Sequence, residues 1–548
     1  MTSKIFKFSA VAATIAASFA ANAALYNVYL DETSGISPNT SRQIYGSALS
    51  PETTVCWSNS CDADTSVMVT EVKNYREGFS YRDEAPFFLP FGWDYLDDNW
   101  DGFKRYCRDY LGYADTLCEN WATAQYTNGY AREQGGNFDS SIAYLDSDRN
   151  GTATAVKPEN AIVNSINFSG GGPAVEPIGN ARNGTTNRNL GFVGSSDDTP
   201  SGSLFLSSHQ WVNKTLTTSA GPQTFTVGSI TRDNVDTGNS LISTSKPTVW
   251  LSGTSTELNW EGNRIDNGNS KAQGSLRDII VDSASNDTVY AVGYTSDGDV
   301  RLKAAVFKGT YSAPNWSWNT GTLVDGFPFA TEEYVNQTLQ AVNDNKIAIG
   351  TAKLRRALNG AYANSLFYVD NLETPVQKAF SGSIFFEGAN GLAGNINNHN
   401  DVVGTVDFET HAETNGKPRA QRAFITNLRA SSGSAPIGGQ ARYLDDLTNG
   451  SASTDNNQFR IIQAADINDA GVIAATAYYC AGGFDSTAID AKCTAGASLA
   501  GVKLVPISGR TANDITPRPV TQTTVERQGG SLGILVLTVL GLLGFRRK

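Results

Sequence analysis

An eight-residue motif recurs along the chain and restricts the fold more than any other feature. It consists of Asn, usually a second Asp or Asn, two turn positions, three mainly apolar residues, and then Gly or Ala. It reads NRNLGFVG from Asn187, NDTVYAVG from Asn286, NDNKIAIG from Asn343, NNHNDVVG from Asn397 and NDAGVIAA from Asn468. Asn and Asp close tight turns and tolerate left-handed backbone, so each copy predicts a turn that hands over to a strand. The final Gly predicts a bulge or a close backbone approach. A second apolar strand follows each copy: SLFL at Ser203, AAVF at Ala304, SLFY at Ser365, RAFI at Arg422 and AGVKL at Ala500.

Successive copies start 99, 57, 54 and 71 residues apart. The first gap is nearly twice the next two, which predicts a degenerate unit near residue 240. Units of this length with several short strands predict an all-β, β-propeller-like array of about six to seven blades over residues 156–510. A stack of β-sandwich domains is the alternative, but no Pro- or Ser-rich linker interrupts residues 160–505. Residues 24–155 differ. Aromatic residues crowd 87–121, and the pattern from Asn99 to Ala124 is partly helical. We read this stretch as a small disulfide-stapled helical and aromatic insertion packed on the first strands. Its aromatic residues serve as core or as stacking surfaces for sugar rings.

The two ends carry targeting patterns. Lys4 and Lys7 precede an apolar stretch, Phe8 to Ala20, and Ala21-Asn22-Ala23 forms an A-x-A site, so residues 1–23 read as a signal peptide cleaved between Ala23 and Ala24. A linker, 511–528, leads to Gly529 and Gly530, an apolar run from Leu532 to Phe545, and Arg546, Arg547 and Lys548. As a helix the run spans about 21 Å, short of a bilayer core. This tail, residues 529–548, resembles the bacterial GlyGly-CTERM sorting signal. The resemblance implies an inner-membrane-tethered intermediate, cleavage near the glycines by a sorting protease of rhomboid type, and display at the cell surface or release. The phrase ADINDAGVIA with the later A-F strand resembles the HAF-type extracellular repeat. The two together resemble an uncharacterised exported family of gammaproteobacteria, which implies fold and address but no catalytic residues. Two copies depart from the pattern: Ala475 replaces the last Gly, and the copy at Asn187 lacks the Asp.

The formal charge of −12 becomes −17 once the basic residues of the two removable ends are discounted. Such acidity argues against nucleic-acid binding and leaves the C-terminal helix as the only membrane contact. Six cysteines fall into close pairs, Cys56 with Cys61, Cys107 with Cys118 and Cys480 with Cys493, and in an exported chain these predict three local disulfides. For Cys107 to meet Cys118 the chain must double back, with Gly112 as the corner.

Chemistry-bearing patterns are sparse. Gly529 to Gly533 matches G-x-S-x-G but lies at the sorting site, and His209, His399 and His411 are too scattered for a triad. Asp94, Asp97, Asp98 and Asp101 form the densest acidic group, interleaved with Trp93, Tyr95 and Trp100, an arrangement that suits sugar hydrolysis or metal binding, and a carboxylate pair on blade loops is also compatible with glycoside hydrolysis. Asp146, Asp148 and Asn150 begin a calcium loop, D-x-D-x-N-G, but Lys157 stands where the last ligand belongs. The expectation is an exported binding, adhesion or envelope scaffold with a glycan or matrix ligand, and calcium as the one cofactor to consider. A secreted polysaccharide hydrolase is the alternative.

Overall fold

The computed structural model describes residues 23–31, 42–75, 98–146, 154–168, 174–183, 187–200, 205–233, 243–268, 270–429 and 433–521. Antiparallel meanders dominate, each beginning with a strand nearest a common axis and adding strands outward. The first sheet holds Gln43–Leu49, Met68–Lys73 and Ser141–Leu145. The second holds Ala161–Phe168, Val175–Asn183, Asn187–Val193 and Ser196–Asp197. The third is built from a long hairpin, Phe205–Thr218 and Gly221–Asp233, followed by Ser243–Leu251 and Thr254–Glu257. The fourth runs Ser275–Val281, Thr288–Ser296, Leu302–Ser312 and Asn315–Trp318. The fifth runs Tyr334–Val342, Ala348–Leu354, Asn364–Val369 and Lys378–Ala379. The sixth runs Gly391–Ile396, Asp401–Asp407, Gln421–Asn427 and Arg442–Tyr443. The seventh runs Phe459–Ile467, Ile473–Tyr479 and Ser498–Pro506, and its outer position is filled by Tyr26–Leu30 from the other end of the chain.

The innermost strand of each sheet packs against the innermost strand of the next, and that of the seventh packs against that of the first. Among the described residues the result is a ring of seven sheets. Among the described residues no sheet closes on itself. The first and seventh join at one pair, Gln43 with Leu499, and the fourth and fifth at another, Leu302 with Asn336. A second strand of such a sheet is covered on both faces by its neighbours, so Asp401–Asp407 is buried along its whole length and reads as a mostly apolar run.

Six of the seven seams contain apolar clusters. Val403, Ala423 and Ile425 of the sixth sheet meet Ile461, Ala475 and Leu504 of the seventh. Ile347 and Ile349 of the fifth meet Ile396, Val402 and Phe424 of the sixth. Similar groups join the fourth sheet to the fifth and to the third, the first to the second, and the seventh to the first. Among the described residues no such cluster crosses from the second sheet to the third. Hydrogen bonds hold that seam instead: Asn164 Nδ2 donates to Gln210 O (2.8 Å), Ser165 Oγ to Trp211 O (2.7 Å), and Asn167 Nδ2 to Asn213 O (2.6 Å).

The insertion expected near the N-terminus lies between the second and third strands of the first sheet. Helix Asn99–Tyr106 continues as the wider turn Cys107–Leu111, reverses at Gly112 (φ 77°), and returns through Asp115–Ala122 and Thr123–Tyr130. The left-handed backbone at the corner suits glycine. The reversal brings the Cα atoms of Cys107 and Cys118 to 5.4 Å and the disulfide forms, as do Cys56–Cys61 and Cys480–Cys493. Phe103 is fully buried, within 5.8 Å of Tyr126 and 6.1 Å of Trp121 between ring centroids. The insertion does not rest only on the first strands. It crosses the ring: Ala114 N donates to Gly416 O (3.0 Å), Asn415 N donates to Gly112 O (2.9 Å), and Val335 of the fifth sheet joins its apolar core. Its near side is tied by Glu133 to Arg182 (2.6 Å) and by Arg132 over the Tyr75 ring (4.0 Å).

Candidate binding cavity

The innermost strands enclose a cavity of about 1040 Å³ on the axis of the ring. Every one of them carries a β-bulge, where the pairing register slips by a residue or more. At one level the extra residues are Ser47, Asn164, Trp211, Arg277, Gln340, the pair Gly394 and Asn395, and Ala465. All of them line the cavity. A bulge re-aims a side chain and sharpens the local twist, so seven bulges at one level make a collar. The collar is rich in amides and carries one aromatic–cation pair, the Arg277 guanidinium 3.8 Å from the centre of the Trp211 ring.

The bulges explain the glycine that ends the repeat motif. At Gly350 and Gly404 an added Cβ would run into the carbonyl oxygens of Thr338 and Leu392, which the bulged inner strand pushes toward it. Gly179, Gly228 and Gly293 meet inner-strand carbonyls in the same way. The sequence pattern therefore records the collar indirectly, through the residue that makes room for it.

On one side of the collar lie the motif asparagines. Asn343 Nδ2 donates to Asn397 O (2.9 Å), Asn397 Nδ2 to Asn468 O (3.2 Å), and Asn468 Nδ2 to Ser50 O (3.1 Å), a relay from the fifth sheet through the sixth and seventh to the first. Each side chain also closes its own turn, accepting from Ile347 N, Asp401 N or Val472 N. Asp344, Asn398 and Asp469 form a second course on the rim, with Asp344 N donating to Asn398 Oδ1 (2.9 Å) and Asn398 N to Asp469 Oδ1 (2.7 Å). Asn286 lies in the corresponding turn of the fourth sheet, where Asp282 N donates to Thr288 O to close it. Asn187 occupies a different place, at the start of the third strand of its sheet.

On the other side the insertion reaches the axis. Tyr106, Tyr110, Leu111, Trp121 and Gln125 line the cavity there. Tyr106 stacks on Tyr110 (5.6 Å, 17°) and on Trp121 (6.0 Å, 26°).

The carboxylates of the wall are committed to the seams. Asp466 Oδ2 accepts from Leu49 N (2.8 Å) and its Oδ1 from Asn395 Nδ2 (2.6 Å), joining sheets six, seven and one. Asp278 Oδ2 accepts from Val342 N (3.0 Å) while its Oδ1 pairs with Lys214 Nζ (2.5 Å), joining sheets three, four and five. Glu71 Oε1 accepts from Val163 N (3.1 Å), and Asn180 Oδ1 from Gln210 N (3.0 Å). Burial holds the Asp466 carboxyl above the ordinary carboxylate value, and Asp278 adds to the effect. The Lys353 amine, which donates to Tyr362 O at the wall, is pushed down to about 8 by burial.

The remaining candidates lie away from the cavity or are already engaged. Asp146 is buried, with Oδ2 on Lys503 Nζ (2.5 Å) and Oδ1 accepting from Met68 N (2.8 Å), so a calcium ion would compete with a formed ion pair. Asp148 and Asn150 lie outside the described residues, as do Asp94, Asp97, Gly529 and Gly530. Asp98 pairs with Arg105 on the insertion. Ala23 and Ala24 are buried beside Ser451, whose carbonyl accepts from Ala24 N (3.0 Å). His209 is buried in the third sheet, His399 is in a rim turn, and His411 contacts Lys417 O (3.2 Å). Among the described residues no helix is long and apolar enough to cross a membrane, and the run Leu532 to Phe545 lies outside them. The collar itself escaped sequence reasoning, because bulged residues share no residue type.

Residues 251–548, more than half of the chain, match a family described as a protein of unknown function, DUF3466. No curated protein matches the chain. Solved structures with partial likeness include a levansucrase mutant from B. megaterium (10% identity, TM-score 0.28, covering 56% of this chain and 84% of that one). A fructan 1-exohydrolase IIa from Cichorium intybus shows 11% identity and a TM-score of 0.25, covering 59% of this chain and 60% of that one. An inulosucrase from Halalkalicoccus jeotgali bound to kestose shows 10% identity and a TM-score of 0.30, covering 79% and 93%. Superpositions this loose carry nothing over to the present chain.

Proposed function

The chain belongs to the DUF3466 family of proteins of unknown function, and from its cavity we propose that it is an exported, non-catalytic binding protein built as a seven-bladed β-propeller. Its ligand is a neutral, polyhydroxylated molecule, a glycan segment, held at the collar of bulges. The collar is the observation that carries this reading: amides and a Trp211–Arg277 stack converge on one axis, with the Tyr and Trp shelf of the insertion beside them. Amide hydrogen bonds combined with flat aromatic surfaces suit the alternating polar rims and apolar faces of sugar rings. The volume, about 1040 Å³, lies at the upper end of small-molecule pockets and accommodates a short oligomer.

Commitment of the wall carboxylates to the seams supports binding over hydrolysis. One observation favours the hydrolase reading: two carboxylates, Asp466 and Asp278, face the cavity, and burial raises that of Asp466. Export rests on the A-x-A site at Ala23, on the resemblance of residues 529–548 to a GlyGly-CTERM signal, and on three disulfides. In this reading a rhomboid-type protease releases the tail, and the repeats are of HAF type.

The test is a neutral-glycan array probed with the full mature chain, followed by calorimetry on any hit. Retention of a neutral glycan that is not cleaved is the expected result. Cleavage that disappears in Asp466→Asn would move the assignment to the hydrolase, and retention of no glycan would overturn the glycan reading.

A further inference from the structure

The cavity has two unlike ends. Within the fifth sheet the inner strand meets the insertion at Val335, reaches the collar at Gln340 and ends on the rim at Asn343. At about 3.3 Å per residue, that places the aromatic floor roughly 16 Å below the collar and the rim about 10 Å above it. At the rim Asp344 and Asn398 are exposed to solvent. At the floor the insertion spans the ring from Glu133 and Arg132, tied to Arg182 and Tyr75, across to Gly416 and Val335 on the far side. The Cys107–Cys118 bridge holds the two arms of that span together. Two amines of the cavity wall are engaged: Lys353 with the Tyr362 carbonyl, and Lys73 with Ser141 Oγ (2.6 Å) and Glu71 (3.4 Å). Two neutral polar groups remain between floor and rim. Ser47 Oγ is shielded from solvent and has no partner among the described residues, and the half-buried Gln340 amide faces the cavity.

From this asymmetry we propose that the cavity recognises chain ends: it takes the terminal residues of a linear neutral oligosaccharide, inserted from the Asn/Asp rim, and excludes the interior of a polymer. The inference rests on the glycan reading above and adds the polarity and the blind end. A tunnel open at both mouths could thread a chain, but a ring crossed by a stapled helical span at one mouth cannot. A terminal sugar passing the collar comes to rest on the Tyr106, Tyr110 and Trp121 stack, and the following residues meet Gln340 and Asn395.

The experiment compares linear malto- and laminari-oligosaccharides of increasing length with cyclodextrins and cyclic glucans by calorimetry on the full mature chain. Linear oligomers are expected to bind with an affinity that stops rising once the cavity is filled, and ring-closed glucans of the same linkage are expected not to bind. Gln340→Ala, which removes a half-buried amide and leaves the seams intact, should weaken binding about five- to tenfold, the equivalent of one hydrogen bond. Trp121→Ala should weaken it more strongly while the ring melts unchanged. Equal binding of cyclic and linear forms would overturn end recognition and leave the glycan reading standing. Binding of neither would remove both. Binding unaffected by Gln340→Ala and Trp121→Ala would place the ligand outside the cavity and overturn the proposal.

Discussion

The fifth to seventh sheets and the second and third sheets follow the same meander but are fastened differently. In the former, apolar side chains fill the seams and the asparagine relay runs over them. Phe424 alone sits edge-on to Phe385 at 5.0 Å and to Phe380 at 6.2 Å. In the latter, Asn164, Ser165 and Asn167 reach across to backbone carbonyls, and His209, Ser229, Thr231 and Asn189 are buried nearby. Apolar burial is non-directional, whereas each polar contact returns only about 1 kcal/mol net. The family match begins at residue 251 and so takes in the fifth to seventh sheets. One architecture therefore has a stiff arc and a more yielding one.

The sharpest way to break this comparison is to damage the stiff arc. Phe424→Ala should cost about 3–5 kcal/mol in denaturant unfolding, as expected for a fully buried aromatic residue. A loss near zero would mean that the apolar seams do not set the stability. Replacing Cys107 and Cys118 with serine should cost about 2–4 kcal/mol, confined to the insertion. The readout is proteolysis within 99–134 at an unchanged melting temperature of the ring. In a matched pair, Asn397→Ala should cost about 2 kcal/mol and Asn164→Ala about 1 kcal/mol, because Asn397 is buried and also satisfies its own turn. Hydrogen exchange should accordingly protect 391–407 more than 161–168. The smallest effect is on pH dependence. Burial raises the Asp446 carboxyl from 3.8 to about 6, so the folded state holds that proton more tightly than the unfolded chain. Its contribution is complete below pH 3.8 and is lost as pH rises through 6. Asp446→Asn should therefore gain in melting temperature relative to the parent across that window, and an unchanged difference would discount the site.

Legibility in the sequence follows the same division. Asn343, Asn397 and Asn468 were visible because an Asx turn needs a particular side chain at a particular place. The following strands AAVF, SLFY, RAFI and AGVKL fall on the third strands of sheets four to seven. SLFL does not belong to that series: Phe205 opens the inner strand of the third sheet. The third sheet gave no turn signal, since its long hairpin turns at Ser219 and Ala220 without Asn or Asp. The disulfide pairs were legible from short spacing and Gly112 from the need for a corner. The collar was not, because a bulge is a property of pairing between strands and leaves Ser, Asn, Trp, Arg, Gln and Ala equally free. Nor could spacing show that Asp466 and Asp278 serve the seams, since their partners lie in other sheets.

The outer strand of the seventh sheet has a consequence in time rather than space. Tyr26 pairs with Pro506 and Leu30 with Val502, so the first of the described strands to be synthesised waits for the last of them before it finds a partner. Contacts this distant in sequence form slowly, and until they do the third strand of the seventh sheet keeps an open edge. A chain synthesised N-terminus first therefore passes through an incomplete circle, and the nearly finished intermediate presents the same edge that Tyr26–Leu30 later covers. A second copy arriving with its own first strand could fill that edge, so chain concentration during folding would set the balance between closed monomers and strand-exchanged dimers.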